Sequence, residues 1–323
     1  MVGLRAGSAF EMRVLVTGAA GFVGSHVCEL LQQRGHDVVA VDCFLDDLYP
    51  SSVKRNVATD LRESSGISVV EADLRSDDIS PFFDGVDAVV NEAAMPGLMP
   101  SWSSFETYVG CNILAVERLA RAALEAKVSK FVQISTSSVY GRNAVGDEHQ
   151  ATEPFSPYGV TKLAAEHILN AYRTNFGLPT VILRYFSIYG PRQRPDMAYH
   201  RFIEAILDDQ SITVFGDGLQ SRTNTYVADA AAGTALALEN GEDGEVYNIG
   251  GGVQITLLEA IDLIGTACGR SPRMDFEPAR PGDQRETSAD WTKANHTFGY
   301  TPAVSPVEGM AQQVEWHIKQ RQK

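Results

Sequence analysis

Short apolar runs alternate with longer amphipathic stretches along the first part of the chain. The apolar runs are rich in valine, isoleucine and other strand-forming residues; they cover residues 13–18, 37–42, 67–73, 86–93, 130–136 and 180–190. Between them, residues 22–35 and 116–127 repeat apolar side chains at spacings of three and four, which is typical of helices with one buried face. Apolar strands that alternate with helices predict an α/β fold with a doubly wound parallel sheet, covered by helices on both sides.

The composition is that of a globular protein with a strongly acidic surface. The chain has 323 residues, and 41 acidic against 27 basic side chains give a formal net charge of −14. Nucleic acid binding is excluded, because it needs clustered lysine and arginine to neutralise phosphates. No apolar run reaches the roughly 18 residues of a membrane span, so we expect no membrane partner. Residues 1–12 lack the features of a signal peptide.

Four cysteines are scattered along the chain at spacings that suit neither paired disulfides nor a metal site. They are Cys28, Cys43, Cys111 and Cys268. Cys28 and Cys111 fall in apolar helical patterns, so we interpret them as buried free thiols. This usage predicts a cytoplasmic location, and no metal ion is expected.

Three glycines mark the turn between the first strand and the first helix. Gly18, Gly21 and Gly24 have the spacing GxxGxxG, which allows a tight turn, a close approach of backbone amides to a pyrophosphate, and close packing of helix on sheet. The helix N-terminus then faces the phosphates. Asp42 ends the next strand, where an acid accepts hydrogen bonds from the adenosine ribose and repels a 2′-phosphate. The pattern predicts a Rossmann-type fold that binds NAD in preference to NADP.

The alternation of strands and helices becomes irregular after residue 188. Prolines, short strands and a helix near residues 200–209 replace it. We therefore predict an NAD-binding Rossmann domain over residues 12–188, with a returning segment near 225–252. A smaller C-terminal lobe over residues 189–323 is expected to bind mainly the substrate.

Tyr158 and Lys162 lie four residues apart, which places both on one face of a helix. Upstream, a predicted strand ends in a run of hydroxyl side chains at residues 135–138. In these features the chain resembles the extended short-chain dehydrogenase/reductase superfamily, in its branch of nucleotide-sugar epimerases and dehydratases. The resemblance spans nearly the whole chain, since its motifs follow in order at residues 17–26, 91–94, 135–141, 158–162, 183–191 and 280–283.

The resemblance implies that Tyr158 is the general base, Lys162 its activator and Thr136 the hydroxyl partner at the reacting oxygen. A free tyrosine titrates near pH 10, about three units too high for a base at neutral pH. A lysine ammonium and the positive nicotinamide ring both favour the phenolate. NAD should be tightly bound, because each turnover regenerates it.

The expected contacts to NAD are Gly18, Gly21, Phe22, Val23, Gly24, Asp42, Asp73, Leu74, Ala93, Tyr158 and Lys162. Asp73 follows the third strand, where it is a candidate to bind the adenine amino group. The alternative is that Asp73 only caps its loop.

The residues after Thr136 indicate the type of reaction. Dehydratases of this branch carry aspartate and glutamate there, and UDP-glucuronate decarboxylases keep the glutamate, whereas this chain has Ser137 and Ser138. Elimination needs an acid and a base at these places. We therefore expect 4-epimerisation of a UDP-sugar through a transient 4-keto intermediate, which rotates before it is reduced on its other face.

Two segments resemble the UDP-glucuronate 4-epimerases more than the UDP-galactose enzymes. Residues 41–56 look like an insertion of that group, with Tyr49, Lys54 and Arg55, and residues 189–202 are close to its GRPDMA signature. We therefore expect UDP-glucuronic acid to be converted to UDP-galacturonic acid. The first alternative is a UDP-glucose or UDP-N-acetylglucosamine 4-epimerase, and the second is a UDP-glucuronate decarboxylase.

A glucuronic acid substrate makes a chemical demand, because its 4-keto form is a β-keto acid that loses carbon dioxide readily. Decarboxylation is slowed when the carboxylate stays near the plane of the carbonyl. Thr136, Ser137, Ser138 and Ser187 offer neutral hydroxyls that we propose as a clamp for this group. The alternative for Ser137 and Ser138 is capping of the strand end.

Cations are expected at the phosphates. Family matches place Arg222 and Arg280 at the diphosphate and Arg194 near the uridine or the phosphates, with a solvated surface position as the alternative for each. Thr287 stands where related epimerases carry a residue that limits pocket size. Thr223 replaces an aspartate that is common in the family, so this loop departs from the family pattern.

The family also implies a homodimer, through a four-helix contact that includes residues 116–127 and 164–173. An alternative from a different functional class is an NAD-sensing protein that has no catalytic activity. Such proteins commonly lose the tyrosine or the lysine, and both Tyr158 and Lys162 are present here.

Overall fold

The computed structural model describes residues 11–279 and 285–322. Its strands, in chain order, are β1 (Arg13–Thr17), β2 (Asp37–Asp42), β3 (Val69–Glu71), β4 (Ala88–Asn91), β5 (Lys130–Thr136), β6 (Ala144–Gly146), β7 (Thr180–Tyr185), β8 (Ile188–Tyr189), β9 (Ser211–Phe215), β10 (Ser221–Thr223), β11 (Thr225–Tyr226), β12 (Val246–Ile249), β13 (Gln254–Thr256), β14 (Arg273–Glu277) and β15 (Glu286–Ala289). Its helices are α1 (Phe22–Gln33), α2 (Ser51–Ser65), α3 (Phe105–Val109), α4 (Ala115–Ala126), α5 (Pro157–Phe176), α6 (Ala198–Leu207), α7 (Val227–Asn240), α8 (Leu257–Cys268), α9 (Thr292–Phe298) and α10 (Pro306–Gln320). A π-helical segment, Gly110–Leu114, joins α3 to α4.

A parallel sheet of seven strands lies at the centre of the described residues, in the order β12-β7-β5-β4-β1-β2-β3. In its middle, Val14 of β1 pairs with Val38 of β2 on one side and with Ala88 of β4 on the other. The chain moves outward from β1 to β3 and then crosses to β4, from which it continues to the opposite edge. The predicted α/β class and doubly wound, Rossmann-type sheet are confirmed.

Both faces of this sheet are buried, which explains why its strands are apolar throughout. Along β1, Val14 and Val16 pack into the core cluster on one face, together with Leu31 of α1. Leu15 points to the opposite face and packs into a second cluster that contains Leu169 of α5. Burial of each such side chain contributes about 1.5–3 kcal/mol, so each β1 position helps to anchor one layer of helices.

The predicted strand over residues 180–190 is divided in two. β7 ends at Tyr185 and β8 begins at Ile188, and Ser187 between them has a φ of +35°. A positive φ is strained for a residue that has a Cβ atom. The prediction of one strand was wrong because the apolar run continues through Phe186 while the backbone turns. The turn lets β8 pair with β11 and leaves Ser187 at the carboxyl end of the large sheet.

The C-terminal part of the chain forms a smaller lobe beside the large sheet. The lobe contains the parallel pair β14–β9 and helices α6, α8 and α10, which pack on one another. It also contains a four-stranded sheet in the order β13-β10-β15-β6, whose last strand comes from the N-terminal part of the chain. β12 and α7 return to the large sheet, where β12 pairs with β7 and α7 packs on α1. The division of the chain at residues 188 and 189 stays a prediction.

The fold opens a crevice where β1 and β4 lie side by side. The chain leaves these two strands in opposite directions across the sheet, and ligands of such folds bind at the carboxyl ends beside this point. The loops after β1, β4, β5 and β7 all meet here. Among the described residues, no helix is long and apolar enough to cross a membrane.

Candidate active site

The turn after β1 is packed so closely that it accepts only glycine. Gly18 has a φ of +67°, and a Cβ atom there would lie 2.8 Å from the backbone nitrogen of Ala93. A Cβ atom on Gly24 would lie 2.2 Å from the carbonyl oxygen of Gly18, and one on Gly21 would lie 2.9 Å from the same oxygen. In the described structure no side chain caps the start of α1 at Gly21, so the first amides of this helix are available to an anion. This turn fits a pyrophosphate.

A cavity of about 440 Å³ opens beside this turn. Each residue predicted to contact NAD lines it: Gly18, Gly21, Phe22, Val23, Gly24, Asp42, Asp73, Leu74, Ala93, Tyr158 and Lys162. Seven residues predicted to contact the substrate line it as well: Thr136, Ser137, Ser138, Tyr158, Ser187, Arg194 and Arg222. The two predicted sets therefore meet in one space.

Asp42 is held in place at the cavity wall by backbone amides. Its two carboxylate oxygens accept hydrogen bonds from the amides of Ala20 at 3.2 Å and Phe44 at 2.8 Å. Burial raises the pKa of the Asp42 carboxyl, while the nearby Lys54 ammonium and these amides oppose the rise. The carboxylate is thus fixed and oriented before any ligand binds, as a ribose-binding acid requires.

Asp73 caps its own loop and also lies at the cavity wall. Its carboxylate pairs with the Arg75 guanidinium at 2.7 Å and accepts the Arg75 backbone amide at 2.9 Å, so it stabilises its own loop. The same residue lines the cavity wall. A contact between Asp73 and adenine stays a prediction.

Tyr158 enters the cavity from the first turn of α5. The Ser156 side chain caps this helix by accepting the amide of Gly159 at 3.1 Å, and Pro157 occupies the first helical position. Burial raises the pKa of the Tyr158 phenol, whereas a hydrogen bond from Thr136 and the charge of Arg194 lower it. The predicted general base therefore lies against the predicted hydroxyl partner.

Lys162 lies one turn further along α5, and its role as activator of Tyr158 stays a prediction. Its Nζ donates to the carbonyl oxygen of Ile134 at 2.5 Å, because the end of β5 brings this carbonyl within reach. Burial lowers the pKa of Lys162 to about 8, opposed by the charges of Glu92 and Glu166. The cation that lowers the pKa of Tyr158 in this structure is Arg194, which the sequence assigned only to the substrate.

A buried ion pair beneath these side chains was missed by the sequence analysis. Glu166 lies one turn after Lys162 and binds Arg184 of β7 through two hydrogen bonds, Nε to Oε1 at 3.1 Å and Nη2 to Oε2 at 2.7 Å. Ser135 also donates to Glu166 at 2.5 Å, and Arg184 donates to the Tyr140 hydroxyl at 3.0 Å. The Glu166 and Arg184 side chains are only 6% and 7% exposed. The pair fastens the catalytic helix to two strands of the sheet.

Asn112 is a second residue that the sequence pattern did not reveal. It lies in the π-helical segment, where its amide accepts the Met95 backbone N–H at 2.7 Å and donates to the Met95 carbonyl at 3.0 Å. It also donates to the Thr161 hydroxyl at 3.0 Å. The loop after β4 is thereby tied to α5. The extra residue of a π-turn breaks the helical spacing, so periodicity gave no signal for it.

A second cavity of about 440 Å³ adjoins the first, in the C-terminal lobe. Ser187 and Arg222 are among the residues that line both cavities. Three aromatic side chains from α6 and β9 that the sequence analysis did not single out contribute to its wall: Tyr199, Phe202 and Phe215. Arg222 therefore lies between a cavity with the catalytic side chains and one with an aromatic wall.

The remaining predicted residues lie in different surroundings. The Arg194 guanidinium binds the Asp196 carboxylate through two hydrogen bonds, at 3.0 and 2.9 Å, and its side chain is 17% exposed at the cavity wall. Thr287 is buried in β15 beside Arg222 and lines neither cavity, so its role in pocket size stays a prediction. Arg280 lies outside the described residues.

Two cysteines were predicted to be buried, and the structure supports this for one of them. Cys28 is buried in α1. Cys111 is only half-buried and lines the main cavity, because the π-helical segment turns this position out of the helical pattern.

One group in the described part of the chain has the composition of a metal site. His200, Glu204 and His317 bring their side chains together where α6 meets α10. The Glu204 carboxylate already binds His317 Nδ1 at 2.5 Å and the Arg321 guanidinium at 2.5 Å. Because Arg321 balances this charge, we interpret the group as a network that holds α10 to α6.

Comparisons with known proteins agree with this arrangement. The model of the NAD dependent epimerase/dehydratase family matches residues 14–250. Among solved structures, the chain is similar to the UDP-glucuronic acid 4-epimerase from Bacillus cereus in complex with UDP-glucuronic acid and NAD, with 42% identity and a TM-score of 0.91 over 96% of this chain and 100% of that chain.

Two curated proteins are similar over most of their length. The protein named uncharacterized UDP-glucose epimerase YtcB, from Bacillus subtilis strain 168, is 40% identical over 309 residues, which cover 94% of this chain and 98% of that protein. The UDP-glucuronate 4-epimerase of Thermodesulfobacterium geofontis is 33% identical over 308 residues, covering 94% of this chain and 95% of that protein.

The closely packed turn predicts the effect of one added methyl group. In Gly24→Ala the new Cβ atom would meet the Gly18 carbonyl, so the turn must move away from the pyrophosphate. We expect NAD to bind about tenfold more weakly or worse, as measured by calorimetric titration. Gly252→Ala is the matched control, since its Cβ atom would lie 3.4 Å from the Pro302 side chain. Equal affinities of the two variants would contradict this account of the turn.

The buried ion pair predicts a large loss of stability when one partner is removed. Glu166→Ala leaves the Arg184 charge buried without its carboxylate, and we expect the free energy of unfolding to fall by about 3–5 kcal/mol in urea denaturation. Glu315→Ala removes the partner of Lys319 in an exposed pair of α10 and should change stability little. If both variants lose the same small amount, the Glu166–Arg184 pair does not stabilise this fold.

Proposed function

The chain belongs to the NAD-dependent epimerase/dehydratase family and is an NAD-dependent enzyme, and from this premise we propose that it epimerises UDP-glucuronic acid at C4 to UDP-galacturonic acid. The observation that carries this proposal is the composition of the cavity wall beside Tyr158. The wall contains neutral hydroxyls of Thr136, Ser137, Ser138 and Ser187. These side chains suit a sugar carboxylate, and positions 137 and 138 lack the acids that elimination of water requires.

The proton chemistry falls to Tyr158 and its neighbours. When bound, NAD exchanges a hydride with C4 of the sugar. Tyr158 takes the proton of the O4 hydroxyl and returns it once the configuration has changed. Thr136 binds the phenol oxygen and steadies the sugar oxygen, while the positive charge of Arg194 favours the phenolate against the effect of burial. Lys162 holds the nicotinamide ribose hydroxyls.

The hydrogen bonds at the end of β5 support a carboxylate clamp. The Thr136 hydroxyl accepts the Ser138 amide at 3.2 Å, so Thr136 itself caps the strand end. The Ser138 hydroxyl lies 3.3 Å from the Thr136 hydroxyl, so the two hydroxyls are neighbours in this wall. Ser187 lines the cavity too, from a strained backbone position of the kind that persists at functional sites. These hydroxyls bind the carboxylate without adding a charge.

The two adjoining cavities support a division of the nucleotide sugar between them. We propose that the uracil ring lies against the aromatic wall formed by Tyr199, Phe202 and Phe215 of the second cavity. Arg222 lines both cavities and is placed to bind the diphosphate that joins the two halves of the substrate. Arg194 lies nearer Tyr158 and binds on the sugar side of the diphosphate.

We also propose a homodimer through the helices on one side of the large sheet. Val160 of α5 and Leu114, just before α4, are about half exposed, as is Phe105 of α3. Apolar side chains on neighbouring helices favour a four-helix contact with a second copy. The four cysteines are free thiols, which favours the cytoplasm.

The identity of the substrate can be tested with the purified protein. Purified protein incubated with UDP-glucuronic acid, without added NAD, should form an isobaric product that sugar analysis identifies as UDP-galacturonic acid, because the cofactor stays bound between turnovers. Tyr158→Phe should abolish this conversion while the fold, followed by circular dichroism, is kept. Turnover of UDP-glucose or UDP-N-acetylglucosamine alone would reject the glucuronic acid assignment, and undiminished turnover by Tyr158→Phe would reject the assigned base.

The proposed carboxylate clamp can be tested by removing one of its hydroxyls. In Ser187→Ala or Thr136→Ala the carboxylate is held less firmly, so more of the 4-keto intermediate should lose carbon dioxide. We expect the ratio of UDP-pentose to UDP-galacturonic acid to rise about tenfold over the original protein, measured by mass spectrometry of the products. Ser64→Ala, on the outer surface of α2, is the control and should leave the ratio unchanged. Absence of UDP-pentose from both clamp variants would end the clamp hypothesis.

A further inference from the structure

Glu92 is a carboxyl group of the main cavity that the proposed reaction does not use. It follows β4 directly and lines the same wall as Tyr158 and Lys162. Its Oε1 accepts a hydrogen bond from the Tyr185 hydroxyl at 2.9 Å. The Tyr185 hydroxyl also bonds to the Thr234 hydroxyl of α7, so the carboxyl group is fixed by contacts from the sheet and from a helix behind it.

The groups around Glu92 come from three elements. Lys162 of α5 is the cation that acts on it, and Tyr185 of β7 is its hydrogen-bond donor. Cys28 of α1 faces it as a neutral thiol, since burial and the charge of Glu92 raise the pKa of Cys28. Tyr185 is neutral as well, because burial raises the pKa of its phenol. The charge of Glu92 is therefore set by its burial, opposed by the Tyr185 hydrogen bond and the charge of Lys162.

Burial in this wall raises the pKa of Glu92 to about 7, although the Tyr185 bond and the Lys162 charge oppose the rise. A glutamate on a protein surface titrates near pH 4.3 and is fully ionised at neutral pH. Glu92 is instead divided between its neutral and charged forms near pH 7. A small change of charge beside Glu92 therefore changes the fraction of the carboxyl group that is ionised.

We propose that Glu92 faces the nicotinamide half of bound NAD and favours the oxidised over the reduced cofactor. The oxidised ring carries a positive charge and the reduced ring is neutral, so an ionised carboxylate stabilises only the oxidised form. Tyr158 and Lys162, which should hold the nicotinamide ribose, line the cavity together with Glu92. In the reduced complex the carboxyl group binds a proton more readily.

The consequence for turnover rests on the proposed epimerase function, whereas the binding preference does not. A carboxylate that stabilises the oxidised cofactor shifts the equilibrium on the enzyme toward oxidised cofactor and sugar alcohol. The 4-keto sugar, which is prone to decarboxylation and release, is then short-lived. Glu92 acts in this account as a positioning charge and takes no part in the transfer of the O4 proton.

The test measures which form of the cofactor the protein holds. Purified holoenzyme is equilibrated with equal amounts of NAD and NADH, freed of unbound nucleotide by gel filtration, and its bound nucleotides are separated after denaturation. Between about pH 6 and about pH 8 the ratio of bound NAD to bound NADH should rise about tenfold in the original protein, because Glu92 loses its proton. In Glu92→Gln, which is neutral at all pH values, the ratio should be lower at about pH 8 and independent of pH.

Two further variants make the test specific. Tyr185→Phe removes the donor that favours the carboxylate, so the rise in the ratio should move to higher pH. Glu117 of α4 also accepts a hydrogen bond from a tyrosine, Tyr172 at 2.6 Å, but it lies outside the cavity wall. Glu117→Gln is therefore the matched control and should behave as the original protein.

Two outcomes would overturn the inference: a ratio in the original protein that does not change with pH, or a Glu92→Gln variant that keeps the original ratio and its pH dependence. If Glu92→Gln fails to fold, the Tyr185→Phe measurement decides the matter, since an unshifted transition contradicts a titrating Glu92. A chain that turns over no UDP-sugar would reject the proposed function while leaving this ratio measurable. The two proposals therefore fail in different experiments.

Discussion

The arrangement of the site depends on one buried ion pair, between Glu166 of α5 and Arg184 of β7. A carboxylate and a guanidinium are stable in an interior only when each meets its partner and its other hydrogen-bonding atoms are satisfied. Here Ser135 and Tyr140 supply those remaining bonds. Ser135 is followed by Thr136, and α5 carries Tyr158 and Lys162. Correct pairing in the core therefore fixes the distance between strand and helix that brings Tyr158, the proposed general base, to Thr136.

Burial sets the electrostatics of the cavity in a protein whose net charge is −14. It raises the pKa values of Tyr158 and Glu92 and lowers that of Lys162, so it shifts each of the three toward its neutral form. A positively charged ligand lowers all three pKa values, which favours ionisation of the two acids. Positive charge added to that of Arg194 lowers the pKa of Tyr158 further, in the direction that the proposed base requires.

The sequence predicted those parts of the fold that depend on burial alone. β2 and β5 have the predicted bounds of 37–42 and 130–136. Both faces of these strands are covered by helices, so the strands are visible in the sequence as short apolar runs. The sequence pattern did not predict interruptions of regular secondary structure, such as the turn at Ser187 between β7 and β8. Pairings between distant segments, including the ion pair and the aromatic wall of the second cavity, also left no local pattern. The glycine turn and the tyrosine–lysine spacing were visible because their chemistry requires fixed local positions.

The reaction explains why charged side chains suit one part of the substrate and neutral side chains suit another. A 4-epimerase must hold its nucleotide still while the keto sugar rotates in the site, so that the returning hydride reaches the other face of C4. Arginines such as Arg222 suit the fixed diphosphate, because a guanidinium binds phosphate strongly and in one orientation. Hydroxyls such as those of Thr136, Ser138 and Ser187 donate and accept in many directions, so they can contact the sugar in both orientations. If the sugar carries a carboxylate, as proposed, a charged clamp would hold it more tightly in one orientation and would slow the rotation on which inversion depends.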